Sequence, residues 1–169
     1  MINLKPIGIV HIDYSDEEVK NAWFSGGVRG VIEVYPEYEA GLKGIDGFSH
    51  IIVIAWLHKA DDEFKRRVLV VKPRRYLRLG FKPEELPVIG VFACDSPHRP
   101  NPIGLSIVKL VERRGRMLYV DNLDLFDKTP VLDIKPYTPD RVLVNYKLPE
   151  WYVEFERRVK EKTGREIPL

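Results

Sequence analysis

His98, Arg99 and Asn101 alternate with Pro97, Pro100 and Pro102 in the stretch Gly90–Gly104, which reads Gly-Val-Phe-Ala-Cys-Asp-Ser-Pro-His-Arg-Pro-Asn-Pro-Ile-Gly. Each proline fixes its own φ and drives the residue before it towards extended backbone, so an imidazole, a guanidinium and an amide are held at set angles. A guanidinium held in this way can grip a carboxylate or phosphate through its planar fork. Further on, Asp124, Asp127 and Asp133 stand among apolar residues between Leu123 and Tyr137. Carboxylates so close to a core need partners or a ligand. They can hold a ribose, an ammonium or an exocyclic amine, and one can accept a proton. This is the equipment of group transfer by positioning. The same residues also serve plain architecture: proline-rich corners join strands, and Asp127-Lys-Thr-Pro is a good turn by itself.

Other chemistries find little support. His11, His50, His58 and His98 are scattered, and none stands in His-Glu-x-x-His or Cys-x-x-Cys spacing, so no metal is expected. Cys94, the single cysteine, closes an apolar run where a thiol is usually inert, and it excludes an internal disulfide. Ser96 and His98 are too close in an extended loop for a dependable triad. Neither a Walker loop nor Gly-x-Gly-x-x-Gly is present, so a cofactor would be held by loops rather than by a Rossmann helix.

The net charge of +2 excludes a polybasic nucleic-acid arm. RNA contact would rest on local clusters such as Lys65–Arg67, Lys72-Pro-Arg74-Arg75 and Arg113–Arg116, each of which can equally be a solvated face. No secretory layout opens the chain and no apolar run approaches membrane-spanning length, so a soluble cytoplasmic protein is expected. The lack of glutamine beside abundant Lys, Arg and Glu fits a heat-adapted protein.

The elements that must position these residues are mostly short strands. Apolar runs predict strands over Leu4–Ile12, Val28–Tyr35, Ile51–Leu57, Val88–Cys94, Ile103–Val111, Met117–Asn122 and Val131–Ile134, with a brief apolar run at Val68–Val71 and a tight turn at Arg114-Gly115. Gly8 is placed for close backbone approach, and Gly104 for a tight turn out of the proline arch. Ser15 suits an N-cap for a helical turn over Asp16–Glu18, and Pro36 the start of another. Trp23 and Phe24 are core anchors or a stacking platform. Lys72–Pro87 predicts irregular structure. So many strands with little helix favour a small closed or partly open β-barrel, mainly β, over a βαβ sheet. Trp151, Phe155 and Val159 recur every four residues with charges between, and Gly164 follows, predicting a C-terminal amphipathic helix. The expected organisation is a barrel over residues 1–140 and an extension over 141–169, its helix packed on the barrel or on a second copy.

The Gly90–Ser106 and Leu123–Tyr137 stretches, in this order, resemble the TsaA-like family, the TrmO-type (YaeB-like) tRNA methyltransferases. Glu37–Leu42, Gly47–Ile51 and His58 resemble that family's N-terminal signatures, so the likeness runs from about Leu4 to Pro139. The resemblance implies a homodimeric, S-adenosylmethionine-dependent enzyme on a β-barrel. Its acceptor would be the exocyclic N6 of threonylcarbamoyl-adenosine beside a tRNA anticodon. Positions matching the family's cofactor site are Asn21, Ala22 and Trp23, then His58 and Lys59, Asp95, Leu105, and the turn Asp127, Lys128, Thr129, Pro130 and Val131. Arg99 and Asn101 match loop residues that shape the site or meet RNA, and Lys72, Arg74 and Arg75 are candidate RNA contacts. Asp127 and Asp133 are the candidate proton acceptors.

Two residues depart from the family's pattern. Asp95 stands where arginine is usual; it can bind the cofactor's ammonium but repels its carboxylate. Lys128 stands where glycine is usual. A non-catalytic cofactor- or RNA-binding module of the same fold is the alternative reading, and a structural dimer braced by its proline loop is a third.

Overall fold

The computed structural model describes residues 2–167. They form two compact units: residues 2–61 with Pro102–Arg141, and Asp62–Asn101 with residues 142–167.

The first unit is a barrel of six strands: β1 (Gly8–His11), β2 (Val28–Val34), β3 (His50–Trp56), β6 (Ile103–Arg114), β7 (Met117–Leu123) and β8 (Pro130–Pro136). They close in the order β1-β2-β7-β6-β3-β8, and every neighbouring pair is antiparallel. Val10, Ile32, Val34, Ile51, Val53, Val108, Leu118, Val120 and Val131 fill the core, all buried. Closing so few strands demands strong bending. Register shifts at Val28/Gly30, Ile54/Ala55 and Leu110/Glu112 supply it.

Gly8 permits the approach of β2: a Cβ there would lie 2.3 Å from the Glu33 carbonyl oxygen and 3.2 Å from Val34 Cα. Both obstacles are backbone, so relief would require parting two paired strands. Gly8→Ala is expected to destabilise the chain by about 3 kcal/mol, lowering Tm by roughly 6–12 °C in a thermal melt. Gly104 departs from the sequence expectation. It lies inside β6 opposite Ala55 rather than in a turn, and what excludes a Cβ is the Leu57 side chain, 2.8 Å away.

Helix α1 (Asp16–Ala22) begins as expected: Ser15 Oγ accepts from Glu18 N–H and Glu18 reaches back to Ser15 N–H, a reciprocal cap. Val19 is its buried residue, and a 3₁₀ turn, Trp23–Ser25, leads into β2.

The second unit holds α2 (Glu63–Arg66), the two-stranded pair β4 (Val70–Val71) and β5 (Ile89–Gly90), three 3₁₀ turns and α3 (Glu150–Thr163). The strand expected over Val88–Cys94 is only two residues long here. Val91–Ala93 coils into a 3₁₀ turn and Phe92 is 83% exposed. The apolar face of α3 meets the middle of the chain: Phe155 packs edge-on against Tyr76 at 5.0 Å and lies 5.4 Å from Phe81. Burial pushes the Tyr76 phenol up to about 12. Gly164 ends α3 with a left-handed φ of 69° and donates to the Lys160 carbonyl.

Candidate functional site

Strand direction decides which loops can meet. β1 and β3 end, and β8 begins, at the same rim, because Ile9 pairs with Pro130, and Ala55 with Val131. The connection after β1 carries Asn21, Ala22 and Trp23; the one after β3 opens with His58 and Lys59; the one before β8 carries Asp127, Lys128 and Thr129. Three stretches far apart in sequence are therefore brought to one end of the barrel.

Side chains tie these connections together. Lys59 Nζ lies 2.6 and 2.5 Å from the two carboxylate oxygens of Asp16 on α1. The same ammonium stands 4.9 Å above the Phe126 ring, and that of Lys20 stands 5.8 Å from it. Asp16 and Phe126 carry no motif of their own and were missed in the sequence, since their partners lie on other loops. Lys59 thus serves as a clasp. Trp23 is half-buried and meets Phe24 edge-on at 6.0 Å.

The acidic turn is fixed by backbone. Asp127 Oδ1 accepts from Ile12 N–H at 3.2 Å, Lys128 N–H donates to the Val10 carbonyl, and Thr129 N–H and Oγ1 both donate to the Phe126 carbonyl. Thr129 and Val131 are buried, Pro130 half-buried, and Asp127 half-buried with its second oxygen 3.9 Å from Lys128 Nζ. Asp133 lies on β8 opposite Ile54, and its carboxylate is 2.7 Å from Lys135. Leu105, 64% exposed, flanks Ile54 on the other side from β6. Asp124 is engaged by the Ser106 hydroxyl.

His58 Nδ1 is buried and has no hydrogen-bond partner among the described residues. Burial, with Lys59 beside it, holds the imidazole below its ordinary 6.5, against the opposing pull of Asp16 and Asp127. The unfolded chain therefore binds the proton more readily. The His58 contribution to stability is present above pH 6.5 and falls on acidification towards the lower folded value. Below pH 6.5 the wild-type melting temperature is expected to drop more steeply with acid than that of His58→Leu, compared by melts across that range.

In the second unit, a cleft of 620 Å³ is lined by Phe64, Lys72, Arg74, Arg75, Asp95 and His98, among others. Lys72 donates to the Pro83 carbonyl, and Phe64 is 82% exposed. Arg99 turns its guanidinium onto the carbonyls of Ser96 and Val91, both at 2.7 Å, and onto that of Cys94. These bonds curl Val91–Ala93 away from extended backbone, which accounts for the shortened strand. Asn101 is exposed. Among the described residues no cluster of three or more His, Cys, Asp or Glu could hold a metal ion, and no helix is long and apolar enough to cross a membrane.

The class of protein is a small closed antiparallel β-barrel that presents polar side chains on the connections of one rim. The sequence pattern of the tRNA-methyltransferase O N-terminal domain matches residues 15–141, and the chain belongs to that family. It is thus placed among the S-adenosylmethionine-using methyltransferases built on a β-barrel. An Archaeoglobus fulgidus relative named S-adenosyl-L-methionine-binding protein is 38% identical over 84% of this chain and 94% of its own length. A Pyrococcus abyssi relative, "Probable S-adenosyl-L-methionine-binding protein", is 43% identical over 83% of this chain and 70% of its own. The crystal structure of TrmO from Pseudomonas aeruginosa shares the fold, with a TM-score of 0.64 at 22% identity, covering 99% of this chain and 76% of that one.

Proposed function

We propose that this chain methylates the exocyclic N6 of threonylcarbamoyl-adenosine next to a tRNA anticodon, using S-adenosylmethionine and acting as a cytoplasmic homodimer. The observation that carries the reading is the convergence of the Asn21–Trp23, His58–Lys59 and Asp127–Val131 connections on one rim. Their donor set fits the cofactor. His58 Nδ1 is an unspent buried polar atom suited to a nucleoside, Asp127 offers an anionic oxygen to a sulfonium or ammonium, and Leu105 offers apolar surface.

When bound, S-adenosylmethionine supplies an electrophilic methyl on a sulfonium. Transfer of that methyl calls for alignment of donor and acceptor more than for a covalent intermediate. The acceptor N–H must lose its proton, and Asp127 is the better base of the two candidates. Asp133 is already engaged by Lys135, whereas Asp127 keeps one oxygen at 3.9 Å from its nearest cation. Arg99 braces the proline loop, while Lys72, Arg74 and Arg75 supply charge for the RNA backbone.

The test is incubation of the protein and S-adenosylmethionine with a threonylcarbamoylated anticodon stem-loop, read by nucleoside mass spectrometry. A gain of one methyl group on the modified adenosine, missing from the unmodified stem-loop, is expected. Saturable cofactor binding without methyl transfer to any tRNA would reduce the chain to a binding module.

A further inference from the structure

Among the described residues two other than glycine hold left-handed backbone, Asn122 at φ 67° and Lys128 at φ 61°. Asparagine enters that region readily; lysine does so against its own preference, and glycine would sit there without strain. A lysine retained at such a place needs a reason in its side chain.

The side chain is seated by a relay across the strands. Lys128 Nζ lies 3.0 Å from His11 Nδ1, and His11 Nε2 lies 2.6 Å from Glu33 Oε2. The other Glu33 oxygen takes Arg116, which also donates to the Val34 carbonyl. An ammonium can only donate and a carboxylate can only accept, so the relay runs from the lysine to Nδ1 as acceptor and from Nε2 as donor to Glu33. Glu33 is held below the usual carboxylate range by Arg116 and His11 and stays ionised as the anchor. Two neighbouring rim lysines are committed to carboxylates, Lys59 to Asp16 and Lys20 to Glu17. Lys128 instead rests on the His11 imidazole, with Asp127 beyond hydrogen-bond distance at 3.9 Å and 60% of its side chain exposed.

We infer that Lys128 is an anion-receiving residue: the His11–Glu33–Arg116 relay holds its ammonium at the rim to take an anionic oxygen group of the ligand. That group is the carboxylate of S-adenosylmethionine or a phosphate of the RNA. The inference rests on the function proposed above.

The experiment measures the affinities of S-adenosylmethionine, of 5′-methylthioadenosine, which lacks the carboxylate, and of the anticodon stem-loop. They are compared for wild type, Lys128→Gly and Lys128→Asn, both of which tolerate left-handed backbone without the cation. Both variants are expected to melt within about 3 °C of wild type or above it. If the carboxylate is the partner, S-adenosylmethionine binds roughly tenfold more weakly while methylthioadenosine changes by less than about twofold. If phosphate is the partner, RNA affinity and its salt slope fall and both nucleosides bind as before. Either result supports the inference, and His11→Phe should then reproduce part of the loss with the lysine still present. Wild-type affinities for all three ligands in both variants overturn it. A wild-type chain that binds no S-adenosylmethionine and no RNA takes down the proposed function and this inference together.

Discussion

Asp127→Asn is expected to slow methyl transfer at saturating cofactor by about a hundredfold, within the range that loss of a general base produces. The asparagine amide can keep its oxygen on Ile12 N–H, so the turn survives and only the basic oxygen is removed. Asp133→Asn should cost less than about threefold, because that carboxylate is already bonded to Lys135 and to Ile134 N–H. Single-turnover assays with labelled cofactor separate the two. A larger loss at Asp133 than at Asp127 would transfer the proton-accepting role to β8, and equal rates in both variants would remove it from either. Melts of both variants should match wild type within a few degrees, which ties the rate difference to chemistry.

The second large effect concerns RNA. Replacing Lys72, Arg74 and Arg75 together with alanine is expected to weaken anticodon stem-loop binding by roughly a hundredfold near physiological salt. It should also lower the slope of log affinity against log salt by about 2, as three phosphate contacts on single-stranded RNA would. Cofactor affinity should stay within about twofold. The cleft these residues line also carries Phe64, whose exposed ring offers a stacking face for an unpaired base. A salt slope unchanged in the triple variant would place the RNA elsewhere.

The sequence discloses the barrel well because its strands are half-buried. Alternation along β7 and part of β2 records which residues face the core, β3 is marked by its unbroken apolar run, and the Ser15–Glu18 cap and Gly164 stop are written in residues a few positions apart. The closeness at Gly8 is also legible, as a small residue inside a strand. Where the reading fails, the cause is a partner distant in sequence or a side chain acting on backbone. Gly90–Cys94 looks like a buried strand because it is apolar. What bends it is Arg99, further along the chain, gathering the carbonyls of Val91 and Cys94. The triad of Tyr76, Phe81 and Phe155 joins segments that no periodicity connects. The support behind Lys128 is equally hidden: His11, Glu33 and Arg116 meet only because β1, β2 and the start of β7 are neighbours.

At the site, the three rim segments are legible only through family resemblance, since no spacing in the chain marks Asn21, His58 and Asp127 as companions. Topology supplies that information: in an antiparallel barrel every second connection emerges at the same end.

The junction between β3 and β6 has a consequence for how such proteins diversify. Trp56 pairs with Ile103, and Leu57 N–H donates to the Pro102 carbonyl at 2.7 Å, so the two strands zip completely before and after the long excursion between them. The excursion thus hangs from a pinched doorway that the barrel closes with its own ladder, and loop length there costs little. Descendants could exchange that segment wholesale while the six-stranded cylinder and the connections of its rim pass unaltered from one to the next.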